Sequence, residues 1–352
     1  MAGKSLLCLS SGLTPQYRLD ILRLLALPTG THIRFRYAEE IVSPSLRKAL
    51  SENHLNVSVL LAHVDCNESA RREDGTCPIT PCRYATIVNS TKLGEFFFLN
   101  FRLEDFAPCT DLDNFQKQVA GARPHWANGQ TTGEWCFESS AGQSCQRIPR
   151  LDGWQDVVRF LATSEDFAKE PFFFAVRGIF VRGESEPAKP NARGEFALRA
   201  ERDHFVEVFH FHPEADKRGM ASSVGTVQVD VSEPQLAAIT SPRLPVASPY
   251  DLKTFHFRTG TGGGGFASLF IRTTVDGGQP LASQPELFIP LKIRTAWVKT
   301  AVLVIVIGGL LFVQQYLAAA AKGPVSREIT LGLLSLAGIT ALIAVLGLKK
   351  PV

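Results

Sequence analysis

Residues 172–211 read FFFAVRGIFVRGESEPAKPNARGEFALRAERDHFVEVFHF. Three apolar, β-branched or aromatic runs stand in this stretch: Phe172–Arg182, Gly194–Arg202 and Phe205–Phe211. Each has the length of a strand, and turn residues separate them. Four further runs follow at similar spacing: Val224–Val231, Tyr250–Arg258, Ala267–Val275 and Leu287–Ile293. Short strands in such series predict an antiparallel β-sandwich. The polar, proline-containing Gly183–Asn191 is the best linker or long loop, which divides the chain into an α+β unit over 1–182 and a sandwich-like unit over 183–295. One continuous β-rich body with inserted helices is the alternative.

Upstream, Thr14-Pro15 and Ser43-Pro44 each place a capping hydroxyl before a proline at the first helical position. They predict helices, the first carrying Leu19, Ile21, Leu22 and Leu25. His32–Tyr37 alternates with period two, and Val57–Val64, Arg83–Val88 and Gly94–Phe101 read as strands. Residues 106–150 read as irregular. Asp152 is placed to cap a helix that buries Trp154, Val157, Val158 and Leu161.

Downstream, residues 298–317 (VKTAVLVIVIGGLLFVQQYL) and 329–348 (ITLGLLSLAGITALIAVLGL) are apolar. As helices, each would span about 30 Å, the thickness of a hydrocarbon core. The expectation is a transmembrane helical hairpin over 296–352, closed at Gly323-Pro324. Its helices would pack through the small residues Gly308, Gly309, Gly332, Ala337, Gly338 and Ala341. Lys292, Arg294, Lys299, Lys349 and Lys350 flank the outer ends, against Lys322 and Arg327 in the loop. That bias predicts a multi-pass membrane protein with its N-terminal region and C-terminus in the cytoplasm. The N-terminus lacks a clear signal peptide. The sequons at Asn56, Asn67 and Asn89 are read as accidental. Seven cysteines cannot all pair within one chain, and reduced, buried cysteines fit a cytoplasmic face.

Composition narrows the function. With 37 Lys+Arg against 34 Asp+Glu, bulk charge does not indicate nucleic acid. Arg34 with Arg36, Arg71 with Arg72, and Arg199, Arg202 and Arg218 form local basic groups, but carboxylates interleave them, so they read as solvated surface rather than an anion pocket. Gly260–Gly265 contains GxGxxG, but a strand-like run follows it instead of a helix. It reads as a hairpin loop and not a dinucleotide site. Cys77 and Cys82, as C-x4-C, and His210 and His212, on one face of a strand, are weak metal-ligand candidates. Asp111, Asp113 and Glu134 lack the oxygen density of a calcium loop. No hydrolase or zinc-protease motif occurs, so no catalytic residue or cofactor is assigned.

The reading is therefore a membrane-anchored cytoplasmic sensing or interaction protein. One form of it is a membrane-perturbing, defence-type effector that oligomerises its hairpins when a partner or ligand binds. The expected partners are the lipid bilayer and a protein or a second copy, with a small-molecule ligand left open. The alternatives are a passive anchor or scaffold, and a membrane-tethered enzyme with an unrecognised site.

Overall fold

The structure, a computed structural model, describes residues 5–294 except 53–56, 120–123, 128–129, 149, 169, 171, 214–224, 247–249, 261–263 and 276–283; beyond 294 it describes 308, 309, 313, 315 and 316. The first unit runs β1 (Ser5–Ser11), α1 (Pro15–Ala26), β2 (His32–Ala38), α2 (Pro44–Ser51), β3 (Val57–Val64), β4 (Ile79–Leu93), β5 (Phe96–Phe106), α3 (Leu112–Gln118), β6 (His125–Ala127), β7 (Gln130–Thr132), β8 (Cys136–Ser139) and α4 (Arg150–Leu161). Six of its strands form one mixed sheet in the order β2-β5-β4-β3-β1-β8. β1 pairs parallel with β3, while β1–β8, β3–β4, β4–β5 and β2–β5 are antiparallel.

Local chemistry explains these elements. Thr14 is the N-cap of α1 and accepts from the Tyr17 amide, with Pro15 at the first helical position. The far end of α1 is held by Arg83 of β4, which is fully buried. Its Nη1 donates to the carbonyls of Leu24 (2.8 Å) and Leu27 (2.6 Å), its Nε to Glu104 O and its Nη2 to Thr29 Oγ1. A cation at carbonyls left open by a helix C-terminus is favourably placed. In β1 and β3, Leu6–Leu9 and Val59–Val64 are buried at every position, the pattern of strands covered on both faces.

The second unit comprises β9 (Phe173–Val181), β10 (Phe196–Arg199), β11 (Asp203–Phe211), β12 (Gly225–Val231), β13 (Ala237–Ile239), β14 (Arg243–Val246), β15 (Tyr250–Thr259), β16 (Gly265–Val275) and β17 (Leu287–Arg294). Two sheets form, β13-β15-β11-β9 and β10-β17-β16-β12-β14. Alternate residues are buried, Val206, Val208, Phe255 and Phe257 from one sheet and Val227, Val229, Leu269 and Ile289 from the other, which is sandwich packing. The segment Gly183–Asn191, expected to be a linker or long loop, touches the first unit, as does Gly194 just after it. Pro190 lies on Gly30, whose φ of +86° suits glycine, and Gly194 abuts His32. The glycine-rich run at 260–265 is not a hairpin loop. It joins β15 to β16, which lie in different sheets.

The expected transmembrane hairpin is corrected. Four α-helices are described, the longest of 12 residues or about 18 Å, and among the described residues no helix is long and apolar enough to cross a membrane. The fold is β-rich throughout the described residues. Of the two apolar runs only Gly308, Gly309, Val313, Gln315 and Tyr316 are described, and Gly332, Ala337, Gly338 and Ala341 lie outside the described residues. Gly308 and Gly309 are exposed, and among the described residues no atom lies within 4 Å of where a Cβ would stand on either. The expectation rested on apolar length and flanking charge. These set what a segment could dissolve in, but not the structure it takes. The membrane localisation and the cytoplasmic topology drawn from the hairpin are withdrawn with it.

Candidate binding cleft and the junction behind it

A cleft of about 260 Å³ opens at the end of β1. Ser10, Ser11 and Leu13 come from β1 and its turn into α1, Tyr17 and Asp20 from α1, and Phe35 to Ala38 from β2. Glu40, Ile41, Phe96 and Trp135 also line the wall. The aromatic side is pre-packed. Phe35 meets Phe101 edge to face at 5.6 Å, and the Arg36 guanidinium lies 5.0 Å from the Phe96 ring centre. Trp135 is fixed by its backbone, whose amide donates to Ile41 O (2.7 Å) and whose carbonyl accepts from Leu9 N (2.8 Å). The polar side is unevenly engaged. Asp20 is drawn upward from the usual carboxylate range by burial, against the opposing pull of Arg23 at 3.1 Å. The Tyr37 hydroxyl is buried beside the Cys8 and Cys136 thiols, with Cys8 as its hydrogen-bonding neighbour. Leu13 and Phe96 stand exposed at the rim. The cleft thus offers ring-sized apolar contact beside hydroxyls, two carboxylates (Asp20 and Glu40) and one guanidinium (Arg36), the composition of a small-ligand site.

The turn that forms one wall of the cleft also reaches a buried polar junction. The Gly12 amide donates to Asp166 Oδ2 (3.0 Å), to which His63 Nε2 also stands at 2.7 Å. Asn67 Nδ2 donates to Asp166 Oδ1 (2.8 Å) and to Asp65 Oδ1 (2.7 Å), and Ser164 Oγ donates to Asp65 Oδ2 (2.6 Å). Burial alone would raise the Asp166 carboxyl, but the hydrogen bonds from His63, Asn67 and Gly12 and the His63 charge outweigh it and hold it below its ordinary value. Arg18 of α1 donates to Asp166 O and pairs with Glu170, and Gln284, in the second unit, donates to Glu170 (2.6 Å) and to Phe172 O (2.9 Å). Gly12 has no room for a side chain, since a Cβ would fall 2.0 Å from the Asp166 carboxyl carbon. One connected network therefore links the cleft turn, the end of β3 and the start of the sandwich.

His63 and Asp166 are two members of a hydrolytic triad in geometry alone. The other imidazole nitrogen, Nδ1, is buried and finds no hydrogen-bond partner among the described residues.

The metal-ligand candidates are dispersed. Cys77 hydrogen-bonds Cys66, and Cys82 is buried and donates to Thr80 O (3.4 Å). His210 is buried against Phe172, with ring centres 4.6 Å apart. Burial, with the nearby His212 and Lys253, lowers its pKa to about 4, and neither ring nitrogen finds a partner among the described residues. Among the described residues no three His, Cys, Asp or Glu side chains gather as a metal cluster. Asp111 caps α3, accepting from the Asn114 amide at 2.9 Å. Of the basic groups, Arg36 joins the cleft, Arg34 donates to Asn100 (2.8 Å) and Arg71 to Cys66 O. Reading the sequence missed Ser10, Ser11, Tyr17 and Asp166. Their only signal was the turn residues of Ser10–Pro15, which announce a strand-to-helix turn and not a cleft.

No protein-family model matches the chain, and no curated protein does. Among solved structures, it is similar to the periplasmic chaperone SfaE (9% identity over 29% of this chain and 55% of that chain, TM-score 0.22). The chain thus spans about half the length of that chaperone. It is also similar to SSP-19, an MSP-domain protein like family member of Caenorhabditis elegans (11% identity over 28% of this chain and 94% of that chain, TM-score 0.20), and to a β-glucosidase of Listeria innocua (13% over 35% and 16%, TM-score 0.21). Likeness at these scores decides neither fold nor function.

Proposed function

We propose that this protein is a sensing or interaction protein whose cleft takes a small organic ligand, one with a planar apolar body and a single hydrogen-bonding or charged end. The observation that carries the reading is a shared wall. Ser10–Leu13 lines the cleft, and Gly12 within it is anchored to Asp166 of the junction. A ligand that displaces Leu13 or bonds Ser11 acts on the turn that the junction must hold. Binding energy is then divided between filling the cleft and biasing how the two units meet. The junction is the responsive element because one hydrogen-bonded network spans both units and a buried network is costly when partly satisfied.

The test is a melting-temperature screen of the full chain with aromatic fragments carrying one charged or amide group, run beside Leu13→Trp. Leu13 is exposed at the rim, so the larger ring fills the mouth of the cleft without disturbing the core. Fragments that raise the melting temperature of the parent and not of the variant support the reading. Fragments that stabilise both proteins alike, or none at all, count against it.

A further inference from the structure

All seven cysteines are buried thiols, and all lie in the first unit. Six of them stand in three pairs, each directly opposed across antiparallel backbone. Cys8 of β1 faces Cys136 of β8 in register, with Sγ atoms 2.8 Å apart. Beyond the last pair of the β3–β4 ladder, Val64 with Ile79, the Asp65 amide donates to Pro78 O. The next opposed positions are Cys66 and Cys77, whose thiols hydrogen-bond one another. Past the bridge of Phe106 with Ile148, the Gln146 amide donates to Pro108 O. The next opposed positions are Cys109 and Cys145, whose thiols are again hydrogen-bonded.

The hydrogen bonds also fix the kind of site. Leu9 with Trp135, Asp65 with Pro78 and Pro108 with Gln146 are joined by backbone hydrogen bonds. Such pairs alternate with non-hydrogen-bonded pairs, so each cysteine pair occupies a non-hydrogen-bonded position, where Cα atoms lie about 4.5 Å apart and side chains approach most closely. That separation lies within the range a disulfide spans without backbone movement. One coincidence of this kind could be packing, but the same placement in one ladder, past the end of another and past an isolated bridge is a pattern.

We propose that these three pairs are disulfide sites, joining Cys8 to Cys136, Cys66 to Cys77 and Cys109 to Cys145 and leaving Cys82 as the single thiol. In each, one thiolate attacks a disulfide oxidant such as oxidised glutathione and releases one reduced thiol. The second cysteine then displaces the other from the mixed disulfide. The pair loses two protons and two electrons, and the oxidant becomes two thiols. Burial, with the partner thiol, lifts the Cys8 and Cys145 thiols above their ordinary values, so the bonds form while the chain is still opening and closing and not in the finished core. Such chemistry belongs to an oxidising compartment. An odd cysteine count does not exclude it, because Cys82, pushed to about 12 by burial, has no opposed partner in the ladders.

The experiment folds the full chain in mixed reduced and oxidised glutathione, verifies cooperative melting, then denatures and alkylates it without reductant for intact-mass and peptide mapping. The expected result is one alkylated cysteine, Cys82, a loss of two hydrogens for each bond, and the three named cross-linked peptides. Seven alkylated cysteines in the folded chain, or a different pairing such as Cys77 with Cys82, would overturn the proposal. Cys8→Ser with Cys136→Ser should delete one cross-link and leave the other two in place.

Discussion

His63 Nε2 and Asp166 Oδ2 lie 2.7 Å apart across 103 residues of chain, both side chains almost wholly buried. This contact ties the end of β3 to the segment that leads into the sandwich, and the same carboxylate oxygen receives the Gly12 amide. Removing the carboxylate leaves His63, Asn67 and Gly12 without their acceptor. Asp166→Ala is therefore expected to cost about 3 kcal/mol at neutral pH, read as a shift in the urea midpoint. A loss below about 1 kcal/mol would mean that the network is not holding the units together.

The same residue has an acid signature. Its folded-state pKa lies below the ordinary 3.8, so its contribution is complete above that value and is lost as pH falls through the lower, folded value. The parent should lose stability below about pH 4 through this group, and Asp166→Ala should lack that part of the loss. Parallel acid titrations of the two proteins by circular dichroism compare them directly.

His210 works in a higher window. Burial lowers it from 6.5 to about 4, so between these values the unfolded chain takes up a proton that the folded chain refuses. Stability should fall by about 3 kcal/mol as pH drops across that range and then level off for this group. His210→Phe keeps a ring against Phe172 and should flatten the slope. An unchanged slope between pH 6.5 and 4 would contradict this assignment.

Much of the second unit is legible from residue pattern because a half-buried strand declares itself at period two. Each of the seven runs from Phe172 to Ile293 overlaps a strand of the structure. The short β13 and β14 are not legible: three or four residues with Pro245 among them carry no period. Thr14-Pro15 and Ser43-Pro44 both mark helix starts because the signal is local, although only Thr14 makes a capping bond and Ser43 relies on the proline that follows it. The cleft and the junction are invisible for the opposite reason. Gly12, His63 and Asp166 meet only through tertiary contact, and no spacing encodes a separation of 103 residues. The cysteine pairs are hidden likewise, since their partners are set by strand register and not by C-x4-C spacing. The two C-terminal apolar runs illustrate the limit of composition, which describes a segment's solvent preference without giving it a structure.

Arg83 offers a test of how α1 is held. Its guanidinium is wholly buried, caps Leu24 and Leu27 and lies 4.3 Å from the Phe106 ring centre. Burial lowers its pKa to about 9. Arg83→Ala should cost about 3 kcal/mol or more, because several carbonyls lose their donor inside the protein. Arg83→Lys should recover only part of this, since one ammonium cannot reproduce the fork of contacts. Equal stability of the parent and Arg83→Ala would show that α1 needs no such cap.

Oxidation should be visible in stability as well as in mass. In the chain-entropy account, closing the short Cys66–Cys77 loop is worth about 3 kcal/mol and the long Cys8–Cys136 loop about 5 kcal/mol. The glutathione-folded chain should melt well above the same chain held in dithiothreitol. Identical melting of the two forms would mean that the links, even if formed, constrain nothing.

The most direct test of the central claim is amide chemical-shift mapping of the full chain, titrated with the best aromatic fragment from the melting screen. The account predicts shifts at Ser10–Leu13 and Trp135 that extend through Asp166 and Glu170 to Phe172, with the latter set lost in Asp166→Ala while cleft shifts persist. Shifts centred away from Ser10–Leu13, or cleft shifts that stop there in the parent, would contradict a ligand site coupled to the junction of the two units.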